Sequence, residues 1–169
     1  MTPPRFLPEE ALPPYAYVPG RFPHPFSDPQ GHSYQLSAPQ PLPPDPSRWD
    51  QCRTYLRALD LFNHGYYWEA HEAWEALWHA CGRRGNLADF FKGLIQLAAA
   101  GVKLREGRPE GVRSHAERAA ALFEQLADEK TMMGLALADL QTASARSATA
   151  TIDPAGLLPA LLVPTQESL

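Results

Sequence analysis

The segment Tyr66-Tyr67-Trp68-Glu69-Ala70-His71-Glu72-Ala73-Trp74-Glu75-Ala76-Leu77-Trp78 reads as an amphipathic helix with a histidine on the rim of its apolar side. At about 100° per residue, Tyr67, Ala70, Trp74, Leu77, Trp78 and Cys81 fall on one stripe, with His71 just inside its edge and Glu75 one step further round. An ionisable pair at a core boundary needs a partner. The stretch therefore predicts both a packed helical body and a candidate site within it, although the spacing names a site and not a reaction.

Working outward, the same period continues on both sides. Upstream, Ser47 is placed to cap a first helix, with Asp50 suiting the positive end of its dipole, and Trp49, Cys52, Leu56, Leu59 and Phe62 recur at helical spacing until His64-Gly65. The short connection into Tyr66 predicts an antiparallel hairpin. Downstream, a break over Cys81 to Gly85 precedes a third helix from about Leu87 to Arg105, whose wide apolar face suits a central element. Gly107 and Pro109 punctuate the next turn, with Pro109 at a first helical position, and a fourth helix runs through Val112, Ala116, Ala119, Phe123 and Leu126. A shift of 42 residues lays Gly65 on Gly107, Ala70 on Val112, Trp74 on Ala116 and Cys81 on Phe123, as two helical hairpins would require. Two units are fewer than the roughly three a solenoid needs to bury its faces. The expected fold is all-α, a compact bundle of four to five helices built from two helical hairpins. A fifth helix is expected over Met132 to Ser144. Asp153-Pro154 then opens a segment with Leu157, Leu158, Leu161 and Leu162 that docks on the body or on a partner.

Fourteen of the 18 prolines lie in residues 1–46, and that density forbids continuous helix because each ring removes an amide donor and extends its predecessor. Phe6, Tyr15, Tyr17, Phe22, Phe26 and Tyr34 supply apolar groups that a solvated linker would lack, so this region is expected as an irregular arm packed across the bundle. The chain then divides into a proline-rich arm (1–46), a helical core (47–128) and a C-terminal helix with a Leu-rich tail (129–169).

With 44% hydrophobic against 20% charged residues in 169, the balance is that of a globular domain with a substantial core. A net charge of −4 with 15 scattered Lys and Arg leaves no footprint for nucleic acid. No cationic, apolar, cleavable segment opens the chain, and no apolar run nears the ~20 residues that span a bilayer, so no membrane partner and a cytoplasmic location are expected. Cys52 and Cys81 both fall on apolar faces and are read as buried thiols.

The His71-Glu72-x-x-Glu75 spacing invites comparison with the zinc-protease pattern, in which two histidines four apart hold the metal and an adjacent glutamate is the base. Here the second position is a carboxylate. Histidine and carboxylate at i and i+4 share a helix face and can share a divalent ion, with zinc, iron and manganese the suitable metals. Glu72 projects about 100° from His71, toward the polar flank, so beside such an ion it is expected to act indirectly or not at all. Further ligands would come from the arm, where His24, Asp28 and His32 recur at four-residue spacing between prolines. His115 lies on the apolar stripe of the fourth helix. The plainer reading makes His71 and His115 core-edge histidines satisfied by neighbours, and His24 and His32 turn residues. Lys92, Gln96 and Lys103 share the side of the third helix opposite its apolar face and read as solvated. Trp74 and Trp78 read as core.

The block Leu61-Phe62-Asn63-His64-Gly65-Tyr66-Tyr67-Trp68-Glu69-Ala70-His71-Glu72-Ala73-Trp74-Glu75-x-x-Trp78, followed by Phe91-Lys92-Gly93-Leu94-Ile95-Gln96-Leu97-Ala98-Ala99-Ala100 and Lys103, resembles DUF309, a domain-of-unknown-function family. The likeness covers about residues 50–127. It implies an all-helical bundle of bacterial or archaeal type without an established activity, and its motif maps onto His71, Glu72, Trp74, Glu75, Gln96 and Lys103. The resulting expectation is a helical protein acting in binding or structure, through a protein partner or self-association, with His71, Trp74, Gln96 and Lys103 as binding residues. The alternative is a metal-dependent hydrolase with the ion on His71 and Glu75, His24, Asp28 or His32 from the arm completing the set, and Glu72 or a metal-bound water doing the acid-base chemistry.

Overall fold

A computed structural model describes residues 2–37 and 40–166; the outermost residues of the predicted arm and tail, and residues 38–39, lie outside the described set. Five α-helices follow in order: α1 (Arg53–Asn63), α2 (Tyr67–Ala80), α3 (Asn86–Arg105), α4 (Pro109–Gln125) and α5 (Leu137–Ala148). Each packs on the next, α1 on α2 through to α4 on α5, giving an all-α body of packed hairpins. One core runs through it, with Phe62, Trp74, Phe90, Phe91 and Phe123 withdrawn from solvent. No helix among the described residues is long and apolar enough to cross a membrane.

The hairpin geometry comes from local chemistry. Past α1, Gly65 takes φ +84°, and the Tyr66 and Gly65 amides turn back to the Leu61 and Phe62 carbonyls at 2.8 and 3.0 Å. Glycine enters that left-handed region without a Cβ penalty, so the helix stops and reverses there. Gly107 repeats the arrangement after α3, with the Arg108 amide 2.9 Å from the Lys103 carbonyl. The 42-residue echo is thus a repeated helix stop. In α3, any side chain at Gly101 would run into the Tyr67 ring, so its absence lets α2 lie close.

Three expectations are corrected. Ser47 does not cap α1: the Asp45 carboxylate accepts from the Ser47 amide at 2.9 Å and its hydroxyl at 2.7 Å, starting a 3-10 helix (Pro46–Gln51) instead. Cys52 is extended, and α1 begins after it. The fifth helix starts later than Met132, because Met133 and Gly134 have φ +51° and +78° and make the two-residue turn between β1 (Thr131–Met132) and β2 (Leu135–Ala136). Successive left-handed residues match the twist of an antiparallel hairpin and cannot continue a helix. Finally, Cys52 and Cys81 are free thiols at the margin of the core, only half-buried, and burial raises both pKa values above the usual range.

The N-terminal strap crosses α1 and α2, with Leu7 joining the core and Val18 also buried. Its main-chain donors are met by helix side chains. Asp60, fully buried on α1, accepts from the Phe6 and Leu7 amides at 2.7 and 2.9 Å and pairs with Arg5 Nε at 3.1 Å. Tyr66 Oη donates to the Pro13 carbonyl at 3.0 Å. At the other end of the chain, Leu158 and Leu162 dock, whereas Leu157 and Leu161 of the same segment stay exposed.

Candidate functional site

α2 carries the motif residues on two sides. His71 has 28% of its side chain exposed and lies between two carboxylates, with Nδ1 3.4 Å from Glu72 Oε1 and Nε2 3.4 Å from Glu75 Oε2. One ligand atom from each of the three can be chosen so that all lie within 4.8 Å of one another. Glu72 was expected on the polar flank. Its side chain is long enough to curl back to the ring, which brings it into the cluster. His79 approaches Glu75 from the next turn at 3.7 Å. Trp74 is fully buried, as its stripe position requires, and its indole Nε1 has no hydrogen-bond partner.

The arm residues are engaged elsewhere. His32 Nε2 lies 3.0 Å from Glu69 Oε1, with Nδ1 2.8 Å from Ser33 Oγ. His24 Nδ1 accepts from the Phe26 and Ser27 amides, both at 3.3 Å, and its ring meets Trp68 at 5.4 Å between centroids. Asp28 Oδ1 accepts from the Gln30 amide at 2.9 Å. Turns in a proline-rich segment have unpaired amides, and short polar side chains satisfy them locally. The structure brings together His71, Glu72 and Glu75; it does not bring His24, Asp28 or His32 into that cluster, which is the one such group among the described residues.

Gln96 and Lys103 are not on a solvated face. Gln96 Oε1 is 2.8 Å from His115 Nδ1 across the α3–α4 seam, and Lys103 Nζ is 3.0 Å from Glu106 Oε2. His115 has its pKa lowered from the usual histidine value, first by burial and then by the nearby charges of Arg118, Lys103 and His71. Lys92 alone of the three is exposed.

Glu69, Asp60 and Arg5 were missed as site residues. Glu69 is only 7% exposed; its Oε1 accepts from the Tyr17 amide at 2.8 Å as well as meeting His32, while Oε2 has no partner. The available signal was an acid at position 60 on the apolar side of α1, and a second acid beside Ala70 at the edge of the α2 stripe. Between the strap, α1 and α2 lies a cavity of about 490 Å³, with Phe26, His32 and Leu36 of the strap, Arg57 and Leu61 of α1, and Trp68, Glu69 and Glu72 of α2 among its walls. Trp68 also anchors the strap, with Tyr17, His24 and Phe26 around it at 5.0, 5.4 and 6.0 Å between ring centroids.

α1 to α4, with the His71 cluster and the Gln96–His115 seam, frame the segment that comparison with known families picks out. Residues 55–115 match the model of DUF309, a domain of unknown function. The family expected from the motif is the one found. No curated protein and no solved structure matches the chain significantly. The DUF309 segment contains His71, Glu72, Trp74, Glu75, Gln96, Lys103 and His115, together with the strap anchors Asp60 and Glu69.

Proposed function

We propose that this protein is a binding module whose ligand occupies the cleft between the strap and the α1–α2 hairpin. The observation that supports this is the cavity of about 490 Å³, inside the ~300–1,000 Å³ span usual for small-molecule sites. The test is a thermal screen of a small-molecule library on the parent chain and on an Ala73→Leu/Ala76→Leu double variant, which fills the α2 wall of the cleft. A ligand at about a hundred times its Kd raises Tm by roughly 5–10 °C in a chain of this size. Hits should stabilise the parent and leave the double variant unmoved; hits that stabilise both equally, or an absence of hits, remove the reading.

A second reading is favoured by the clustering of His71, Glu72 and Glu75 within 4.8 Å. Three mixed nitrogen and oxygen ligands suit a divalent zinc, iron or manganese with an open position, and Glu72 is then placed for acid-base work in a hydrolase. It ranks second because all three groups come from one helix and both carboxylates are about two-fifths exposed (40% and 39%), as surface acids commonly are without an ion; the buried Nδ1 of His71, which has no hydrogen-bond partner, is what favours it. Elemental analysis of tag-free protein decides it: stoichiometric metal that is lost in His71→Ala with helix content retained supports the site, and no metal assigns the cluster to surface ion pairing.

A further inference from the structure

The two ends of the helix series are finished differently. The strap crosses α1 at one end, whereas α5 at the other packs on α4 and on β2. Its inner face is Leu137, Leu140, Ser144 and Ser147, all buried, and the opposite face carries Asp139, Thr142 and Arg146, all exposed. Asp139 and Arg146 are seven residues apart, so they share one line along the helix about 10 Å long. Neither side chain has an ion pair or hydrogen bond among the described residues, whereas Arg5, Arg53, Arg57 and Arg108 are all engaged by acids. Alongside runs a groove of about 770 Å³, lined by Asp139, Thr142 and Arg146 and, from the C-terminal segment, by Leu157 and Leu161, which are 51% and 54% exposed. Two such leucines beside one groove form a patch rather than a scatter. The helix dipole favours an acid in the first turn and a base in the last, which explains their order. That order has a second consequence: a line reading acid, small, base from one end reads base, small, acid from the other, so it is complementary to itself across a two-fold axis.

We propose that this chain pairs with a second copy of itself through α5, the two helices antiparallel about an axis at Thr142 and Ala143, Asp139 of each copy on Arg146 of the other, and Leu157 and Leu161 covered at the margin. Small side chains at the crossing let helix axes approach to about 8 Å. A partner surface of uniform charge would leave either Asp139 or Arg146 facing its like, which disfavours it. The contact is isologous, so it closes at two copies. It is independent of the cleft under the strap.

The experiment is sedimentation velocity of the full chain over about 1–200 μM, the range in which a modest interface dissociates. The parent should pass from monomer to dimer. Asp139→Arg and Arg146→Asp each turn both charge pairs into like pairs, and each should weaken the dimer at least about tenfold. An equimolar mixture of those two variants restores both pairs within one heterodimer, and should associate to within about threefold of the parent. A variant that was merely destabilised would not be rescued by mixing. Thr142→Glu leaves both charges in place and sets two acids at the axis; its hydroxyl reaches only the Ala138 carbonyl one turn back, so the fold should tolerate the change, with helix content checked by circular dichroism. It should weaken the dimer by at least about tenfold as well. A parent that stays monomeric throughout leaves this face to a different protein and overturns the self-pairing. So does a dimer that Asp139→Arg, Arg146→Asp and Thr142→Glu leave unchanged, or a mixture no tighter than its components.

Discussion

The strap and the C-terminal segment are both irregular, both proline-bearing and both held on the α1–α2 hairpin, yet they are held by different chemistry. The strap is anchored by acids: Asp60 takes two successive amides, and Glu69 takes the Tyr17 amide and the His32 ring. The C-terminal segment is anchored mainly by neutral groups, with Arg105 adding one bond to the Pro154 carbonyl at 3.2 Å. Asn63, 2% exposed, donates to the Leu162 carbonyl and accepts from its amide, both at 2.8 Å, and Tyr67 Oη accepts from the Leu158 amide at 2.8 Å. Segments without a ladder of their own need such side chains, because buried main-chain groups must be paired. The amide of Asn63 answers a donor and an acceptor together and leaves nothing over. A carboxylate answers donors only and brings a charge, which Arg5 compensates at Asp60. At Glu69 one oxygen remains open. The cleft proposed as the ligand site lies on the strap's side of the hairpin, lined by Glu69 among others.

Removing the most heavily used anchor should have the largest effect. Asp60→Ala strands two amides and the Arg5 guanidinium, and deleting one partner of a buried ion pair costs about 3 kcal/mol or more. Urea unfolding should show that loss, and limited proteolysis should cut within residues 1–46 while the C-terminal segment stays protected. Asn63→Ala should do the converse, with a loss of about 2 kcal/mol for the unpaired Leu162 groups and new cleavage after Ala148. The two residues sit one turn apart on α1. If either variant frees both ends of the chain, the anchors are one cooperative unit and the contrast between them is broken.

How much of this was legible depends on the range of the interaction. The helices were readable because apolar stripes and the Gly65 and Gly107 stops act within a turn or two, and Trp74 landed in the core as its position required. Helix starts were less readable: Asp45 and Ser47 are both capping residues, and the one that wins is decided by which amide its side chain reaches. Met133-Gly134 carried no strong hairpin signal, since its turn usually shows Asn or Asp at the first position. The least legible element was the strap. Asp60 meets Phe6 across 54 residues and Glu69 meets His32 across 37, and no period links such pairs. His24, Asp28 and His32 had a regular spacing that suggested shared ligation, but each side chain was within reach of a nearer partner.

The smallest effect sharpens the comparison through pH. Tyr67 is largely buried, and that burial raises its pKa from 10.0, against the lowering by the Leu158 amide and Arg105. A folded pKa above the unfolded one means the folded state keeps its proton where the unfolded chain has released it. The stabilisation is therefore complete below about pH 10 and is lost as pH rises through the folded value. Tyr67→Phe removes the acceptor for Leu158 and should cost about 1 kcal/mol at neutral pH. Lacking the ionisable hydroxyl, the variant should also lose less than the parent between pH 7 and roughly pH 10.5, so the gap in urea midpoint between the two chains narrows in alkali. Tyr55, fully buried with its hydroxyl on the Met133 carbonyl and its pKa raised well above the ordinary value by burial, is present in both chains and cancels in the difference. A gap that widens with pH would mean that the ionised phenol is the better acceptor for Leu158, and that the neutral character of the C-terminal anchors is not what holds that segment.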